Sequence, residues 1–176
     1  QLLDEDLKTA GATREKEPHT YYFKVREKNG KIVTGTMSGY SKLDINAFLV
    51  NEGYDVYAIK TSKWIEFLYK ESKISGAKMS TKDLIFWLTE LSTYLKAGLT
   101  LNDSIKILTK QMKNKKDRAR AFQSISYELV LGNSFSTALA KQGTMFPALL
   151  INMIKAAEAT GTLEETLDDM ANYYTE

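Results

Sequence analysis

The stretch PALLINMIKAAEATGTLEETLDDMANYY, residues 147–174, decides the fold of this chain because it encodes two amphipathic helices on either side of Gly161. Apolar side chains recur in it every three or four residues, which places each set on one face of a helix. They are Leu150, Met153, Ile154 and Ala157 before the glycine and Leu163, Leu167, Met170 and Tyr174 after it. Each helix therefore needs a partner against which its apolar face is buried.

The ends of the two helices are marked by residues with distinct conformational preferences. Pro147 suits the first turn, where its missing N–H would be unpaired in any case, and Gly161 suits the left-handed position just past a helix end. Thr162 is expected to cap the second helix, with Glu165 completing a capping box. From Glu158 to the last residue the chain contains no Lys or Arg. We therefore expect an acidic surface beside the hinge.

Three sequence features resemble the signatures of a known protein family. The first is AAEATGTLE, residues 156–164, which follows a helix that starts with proline. The other two lie upstream in the family's order, at residues 91–101 (LSTYLKAGLTL) and 131–139 (LGNSFSTAL). Together they resemble the inner-membrane platform protein of type II secretion and type IV pilus systems. The resemblance is strong over residues 78–176 and looser over residues 20–60.

The resemblance implies that the chain is the N-terminal cytoplasmic domain of such a platform protein. The expected function is a non-enzymatic scaffold that docks the assembly ATPase and other inner-membrane components while pilins are extracted from the bilayer. A homodimer or higher homo-oligomer of the full-length protein is also implied, as is membrane attachment through transmembrane helices beyond this fragment. The residues that the family motifs mark as structural are Gly98, Gly132, Pro147, Glu158 and Gly161.

Composition limits the class of protein. The 176 residues are 43% hydrophobic, which is sufficient for one or two domains with a core. No run approaches the roughly 18 apolar residues of a membrane span, so we expect the fragment itself to be soluble. The resemblance locates it at the cytoplasmic face of the bacterial inner membrane. The absence of cysteine excludes disulfides, thiolate catalysis and Cys-ligated zinc.

A small ββαβ subdomain is predicted over residues 20–60. Asn29-Gly30 between two alternating segments is a strong hairpin signal because both residues tolerate positive φ, and it predicts a two-stranded ribbon over residues 21–37. A short helix capped by Ser41 follows, and a strand over residues 54–59 completes the unit. The predicted apolar face of that helix is Leu43, Ala47, Phe48 and Val50.

Two segments flank this subdomain. Residues 1–19 lack periodicity and are interpreted as a flexible lead-in. Residues 61–77 are interpreted as a linker helix whose Trp64, Phe67 and Leu68 pack onto the bundle that follows. A helix on a membrane surface is the alternative, which is disfavoured because the segment is short and carries acids as well as bases.

Residues 78–176 are predicted to form a six-helix antiparallel bundle, which makes the chain mainly α. The loops are only about 3–5 residues long, so consecutive helices should pack antiparallel. The candidate N-caps are Ser80, Thr100 and Ser134. Gly98, Gly132 and Gly161 each follow an apolar-periodic segment, so we predict positive φ at all three. The expected core residues of the first three helices are Leu84, Leu88, Leu91, Leu95, Leu101, Ile105, Leu108, Met112, Phe122, Ile125 and Leu129.

The sequence contains few groups that could catalyse a reaction, so we predict that the chain is not an enzyme. The only histidine, His19, lies beside Pro18 in the predicted lead-in, where a positioned general base is not expected. No Gly-x-x-x-x-Gly-Lys phosphate loop occurs, so any ATP hydrolysis has to come from a partner.

Two charged clusters remain as candidate sites. Carboxylates around the hinge suit Ca²⁺ at a dimer interface, whereas within one chain a solvated helix face is preferred. The residues of this candidate metal site are Glu158, Glu165, Asp168 and Asp169. No other cofactor is expected. The second cluster is the basic stretch at residues 106–120, for which a solvated face or a surface for an acidic protein partner is preferred over nucleic-acid binding. Its proposed binding residues are Lys113, Lys115, Lys116, Arg118 and Arg120.

Two alternatives from other functional classes stay open. One is a freestanding helical adaptor or nucleic-acid-associated module that uses the basic stretch, although this stretch lacks the interleaved aromatic residues of single-strand binders. The other is a metal-dependent hydrolase built on the acids. Only the platform interpretation requires a transmembrane run directly after Glu176.

Overall fold

The computed structural model describes residues 17–69, 78–111 and 116–176. The chain divides into two compact units, residues 1–73 and 74–176. The described residues are mainly helical, with a small three-stranded antiparallel sheet near the N-terminus, which confirms the fold class at that level. Across the three described ranges, we find no helix that combines the length and the apolar character of a membrane span.

The first unit contains three strands and two helices. In chain order they are β1 (His19–Arg26), β2 (Ile32–Gly39), α1 (Lys42–Asn51), β3 (Asp55–Lys60) and α2 (Lys63–Tyr69). The strand order is β2-β1-β3, and both neighbouring pairs are antiparallel. Alternate residues of the sheet are buried together with one face of α1. The main buried side chains are Tyr21, Phe23, Val25, Met37, Ile45, Phe48, Leu49 and Ile59.

The turn between β1 and β2 differs from the prediction. Gly30 has φ of 86°, but no other kind of residue in the described part of the chain has positive φ, so Asn29 is not left-handed. Asn29 instead accepts a hydrogen bond on Oδ1 from the N–H of Lys31 at 2.9 Å. The N–H of Glu27 donates to the carbonyl oxygen of Lys31 at 2.8 Å, so the loop is longer than a two-residue turn.

The predicted apolar face of α1 was wrong except for Phe48, and the predicted Ala47 is exposed. Leu43 and Val50 are 42% and 55% exposed, whereas Ile45, Phe48 and Leu49 are buried. Both sets have helical spacing, so periodicity alone does not decide between them, and packing against the sheet does. The cap was correct, because the Oγ of Ser41 accepts the N–H of Asp44 at 3.1 Å.

Helix α2 does not bury the three apolar side chains that were expected to pack onto the bundle. Trp64, Phe67 and Leu68 are 68%, 78% and 51% exposed. The helix contacts β1 of its own unit instead. The residues that follow it, 70–77, lie outside the described part of the chain.

The second unit consists of helices joined by short loops. In the described residues these are α3 (Thr81–Lys96), α4 (Leu101–Gln111), α5 (Lys116–Val130), α6 (Phe135–Ala140), α7 (Ala148–Thr160) and α8 (Leu163–Thr175). Their core surrounds Trp87, which is fully buried. The ring centroid of Trp87 lies 5.0 Å from that of Phe146 and about 6 Å from those of Phe122 and Phe135.

Most of the predicted core residues of this unit are buried. One cluster contains Leu84, Leu88, Leu91, Ile105, Leu108, Phe122, Ile125, Leu150, Ile154, Leu167 and Met170, and Ala157 is buried as well. Met153 was assigned to the core wrongly, because it is 42% exposed on the far side of α7. Met112 lies outside the described residues.

Helix ends follow the predicted residues with two exceptions. Ser80, Thr100 and Ser134 each accept a backbone N–H three residues later, at 3.1 to 3.2 Å. Pro147 is the N-cap of α7, one position before the helix, because its ψ of 142° is extended. Thr162 does not cap α8 with its side chain.

The reason for the Thr162 exception is local backbone geometry. A capping side chain reaches the N–H groups ahead of it when its own backbone is extended, but Thr162 has ψ of 29°. Its Oγ1 lies 2.9 Å from that of Thr160 instead. The predicted capping box with Glu165 is therefore not formed.

Candidate functional site

The candidate site lies where α6 begins and α7 ends. The N–H groups of Phe135 and Ser136 donate to the two carboxylate oxygens of Glu158, at 3.0 and 2.7 Å. The first four N–H groups of a helix have no partner within the helix, so this carboxylate supplies acceptors that α6 lacks. We call this pair of hydrogen bonds the Glu158 contact.

The Glu158 contact joins two of the sequence signatures. Phe135 and Ser136 belong to the stretch at residues 131–139 and are 23 and 22 residues distant from Glu158 in sequence. The Oγ of Ser134 accepts the N–H of Thr137, so the start of α6 has both a local acceptor and a distant one. A carboxylate is also favoured at a helix N-terminus by the partial positive charge there.

The hinge after Glu158 depends on a left-handed residue. Gly161 has φ of 71°, and its N–H donates to the carbonyl oxygen of Ala157. The N–H of Thr162 also donates to that oxygen, at 3.0 Å. A left-handed glycine with such hydrogen bonds is a common helix end, and here it lets α8 turn back after α7. Gly98 and Gly132, with φ of 90° and 88°, have the positive φ that the sequence predicts.

The structure does not bring the predicted metal ligands together within one chain. The carboxylate of Glu158 accepts hydrogen bonds from N–H groups at the start of α6. Asp168 forms an ion pair with Lys96 at 3.0 Å. Glu165 and Asp169 are exposed on α8. Within the described ranges, no three acidic or histidine side chains are grouped as a metal ion would require.

The basic stretch is only partly described. Lys113 and Lys115 lie outside the described residues, and Lys116 begins α5. Arg118 forms an ion pair with Asp83 of α3, and its side chain is only 17% exposed. Arg120 is exposed. Arg118 therefore makes a contact between α5 and α3, and its partner-binding role stays a prediction.

The burial of the charged residue Glu128 was not predicted from the sequence. Glu128 of α5 is 3% exposed, and its Oε2 accepts hydrogen bonds from Lys141 at 2.9 Å and from Asn133. A buried carboxylate needs such partners because its desolvation is costly. The sequence signal was present, since Glu128 follows Ile125 by three residues and so shares its buried face.

A cleft of about 400 Å³ adjoins the Glu158 contact. Its wall includes Ser134, Thr137, Asn152 and Lys155, with Ile151 as an apolar contributor. These side chains can donate and accept hydrogen bonds, but the lining contains no histidine, cysteine or second carboxylate besides Glu158. The cleft therefore places hydrogen-bonding groups beside the Glu158 contact.

Two tyrosines of this unit have altered acidity. Burial raises the pKa of Tyr94, whose hydroxyl donates to Glu90 at 3.0 Å and accepts from Gln111 at 3.1 Å. Burial, and secondarily Tyr173, raises the pKa of Tyr174. In the described structure the Tyr174 hydroxyl is buried without a hydrogen-bond partner.

Comparison with known proteins decides the family. The sequence pattern of the family described as "Type II secretion system (T2SS), protein F" matches residues 87–176, just over half of the chain. The chain belongs to this family. The matched region runs from Trp87 through the Glu158 contact and the Gly161 hinge to the last residue, so it includes all three sequence signatures.

Relatives of the protein F family carry names from pilus assembly and secretion. The type IV pilus assembly protein PilC of Thermus thermophilus is 30% identical over 155 residues, 87% of this chain and 37% of its own length. The protein transport protein HofC homolog of Escherichia coli is 39% identical over 82 residues, 47% of this chain and 20% of its own length. The type II secretion system protein F of Xanthomonas campestris is 25% identical over 159 residues, 87% of this chain and 38% of its own length.

The chain therefore spans between a fifth and about two fifths of the length of these relatives. Their names confirm the predicted context of type IV pilus assembly, type II secretion and protein transport.

Proposed function

We propose that the chain is the N-terminal cytoplasmic domain of the platform protein of a type IV pilus or type II secretion machine. In this proposal it docks the assembly ATPase and neighbouring membrane components while pilins are assembled. The proteins of the family are inner-membrane components. The observation that carries the proposal is the Glu158 contact, because its hydrogen bonds connect two of the three family signatures and join α6 to α7.

The character of the site supports a scaffold rather than an enzyme. The family is one of structural platform proteins that are not known as enzymes. Glu158 uses both carboxylate oxygens on backbone N–H groups, so it is engaged in structure and not available as a general base. In the proposal, the six helices act as one antiparallel bundle that presents binding surfaces on a rigid support.

The experiment measures binding of the full chain to the assembly ATPase of the same machine by calorimetry. The variant Lys113→Glu/Lys115→Glu/Lys116→Glu reverses charge in the basic stretch, and Lys78→Glu/Lys82→Glu is the matched control. We expect the first to weaken binding at least about tenfold, as charge reversal at an electrostatic interface does. Equal affinities of all three proteins would assign docking to another surface, and no binding by the wild type would contradict the scaffold proposal.

We also propose that the acidic faces of two copies associate around Ca²⁺. Glu165 and Asp169 are exposed one turn apart on α8, so like charges would repel across a two-fold axis until a cation compensates. Sedimentation with and without Ca²⁺ should show a dimer that tightens with Ca²⁺ in the wild type and not in Glu165→Gln/Asp169→Asn. Asp103→Asn, an exposed acid of α4, is the control. An oligomer that dissociates at high salt and whose association does not change with Ca²⁺ would contradict this arrangement.

A further inference from the structure

Helix α2 exposes an unusual number of large apolar side chains. None of its 7 residues is buried. Trp64, Phe67, Leu68 and Tyr69 are 68%, 78%, 51% and 47% exposed. The rings of Trp64 and Phe67 stack with centroids 6.1 Å apart, so they form one continuous surface. An exposed apolar surface of this kind marks an interaction site.

The opposite side of α2 is attached to its own unit by polar contacts. Glu66 forms a hydrogen bond with Nδ1 of His19 at the start of β1. The segment before the helix is held as well, because Thr61 donates from Oγ1 to the carbonyl oxygen of Thr20 at 2.9 Å. Glu66 and the neighbouring Ile65 are half-buried. The helix is therefore fixed with its Trp64–Phe67–Leu68 side outward.

In the described residues, the charged side chains beside this surface are two lysines and one acid. Lys60 at the end of β3 and Lys63 in the first turn of α2 are both exposed. The one acid of the helix, Glu66, is engaged by His19 and so contributes less to the outward face. Trp, Phe and Leu beside lysines are typical of helices that lie in the interface of an anionic bilayer. At protein–protein interfaces, by contrast, lysine is depleted.

We propose that α2 is a membrane-surface anchor that binds bilayers containing anionic lipids. Trp64, Phe67 and Leu68 insert at the boundary between headgroups and acyl chains, while Lys60 and Lys63 contact lipid phosphates. The surface lies in the first unit and uses none of the residues of the Glu158 contact. The inference is therefore independent of the proposed scaffold function.

The test is sedimentation of the full chain with vesicles of phosphatidylcholine containing about one third phosphatidylglycerol, and with vesicles of phosphatidylcholine alone. We expect Phe67→Ser/Leu68→Ser to weaken binding to the anionic vesicles at least about tenfold, because two apolar side chains leave the interface. Phe86→Ser removes a comparably exposed aromatic residue, 48% exposed, from the second unit and should bind as the wild type does. Lys60→Gln/Lys63→Gln should weaken binding to the anionic vesicles roughly tenfold.

Fluorescence gives a second readout on the same samples. The chain has 2 tryptophans. Because Trp87 is fully buried, a blue shift on adding anionic vesicles should come from Trp64 and should disappear in Trp64→Phe. Circular dichroism checks that each variant is folded, which is expected because the substituted side chains are exposed.

Three outcomes would overturn the proposal. One is a wild-type chain that binds neither kind of vesicle. Another is an equal loss of binding in Phe86→Ser and Phe67→Ser/Leu68→Ser. The last is self-association of the wild type that Phe67→Ser/Leu68→Ser abolishes while vesicle binding is unchanged, which would assign the surface to a protein partner.

Discussion

At the scale of single residues, Glu158 satisfies two N–H groups at the start of α6 from a position at the end of α7. Hydrogen bonds to a charged acceptor contribute about 1.5–3 kcal/mol each to stability, more than neutral pairs do. Glu128 instead accepts hydrogen bonds from the side chains of Asn133, just before α6, and Lys141, just after it. Two carboxylates thus contact the start of this short helix or the residues that flank it.

The raised pKa of Tyr174 leads us to expect that the stability of the fold depends on pH in the alkaline range. Burial, followed by Tyr173, raises the pKa of its hydroxyl above the ordinary value of about 10, so the folded state keeps the proton longer than the unfolded state. The stabilisation from the protonated form is therefore complete below about pH 10 and is lost as the pH rises through the folded-state pKa.

Urea unfolding of wild type and Tyr174→Phe between neutral and alkaline pH measures this effect. We expect the variant to lose less stability above about pH 10 and to be at least as stable at neutral pH, because the buried hydroxyl has no partner. Tyr69→Phe, which removes a hydroxyl from a half-exposed ring, is the control and should follow the wild type. Parallel curves for wild type and Tyr174→Phe would contradict the prediction.

At the scale of the element, the helix ends of the second unit depend on glycines in the left-handed conformation. Gly98, Gly132 and Gly161 have positive φ, and a Cβ built on each meets nothing within 4 Å. Substitution therefore adds backbone strain without a steric clash. Such strain costs about 1 kcal/mol, since side chains other than glycine disfavour positive φ.

Alanine at these glycines should lower stability by about 1 kcal/mol in each of Gly98→Ala, Gly132→Ala and Gly161→Ala. Thermal unfolding measures the change as a shift of Tm. Ala156→Gly, at an exposed position inside α7, provides a control for the intrinsic cost of glycine in a helix. Unchanged Tm values in all three alanine variants would show that these residues do not act as helix ends.

The elements were more predictable than the faces they bury. Ser41, Ser80, Thr100 and Ser134 cap helices as the sequence predicts, because a cap is a local interaction over three residues. The buried face of α1 was predicted wrongly, since two apolar stripes have helical spacing and only the sheet selects one.

Contacts between residues distant in sequence could not be predicted from local sequence patterns. The family resemblance marked Glu158, but no spacing rule connects it to N–H groups more than 20 residues away. Trp87 was likewise missed as the centre of the core, because its three aromatic neighbours come from α5, from α6 and from the segment before α7. Thr162 failed as a cap because the left-handed Gly161 changes the backbone just before it.

At the scale of the whole molecule, the chain consists of two units with different architecture. The sheet and its two helices lie between residues 19 and 69, and the remaining described helices lie between residues 81 and 175. Among the described residues, the core cluster around Trp87 extends from Met79 to Ala171. The family match begins at residue 87, so the shared part lies within the second unit.

A fragment that begins at Lys78 should fold by itself, because the second unit has its own core. We expect a helical circular dichroism spectrum and one cooperative unfolding transition. The full chain, measured in parallel, is the reference for the Tm of the second unit. A fragment without a cooperative transition would show that residues 1–77 are needed for this core.

The structural role of the family signature at Glu158 is tested most directly by amide hydrogen exchange in the full chain. In the wild type, the N–H groups of Phe135 and Ser136 should be protected, because both are bonded to the carboxylate. In Glu158→Ala they should exchange at least about tenfold faster, while amides in the middle of α3 keep their protection until global unfolding. Equal protection of Phe135 and Ser136 in wild type and Glu158→Ala would contradict the role of Glu158 in holding the two helices together.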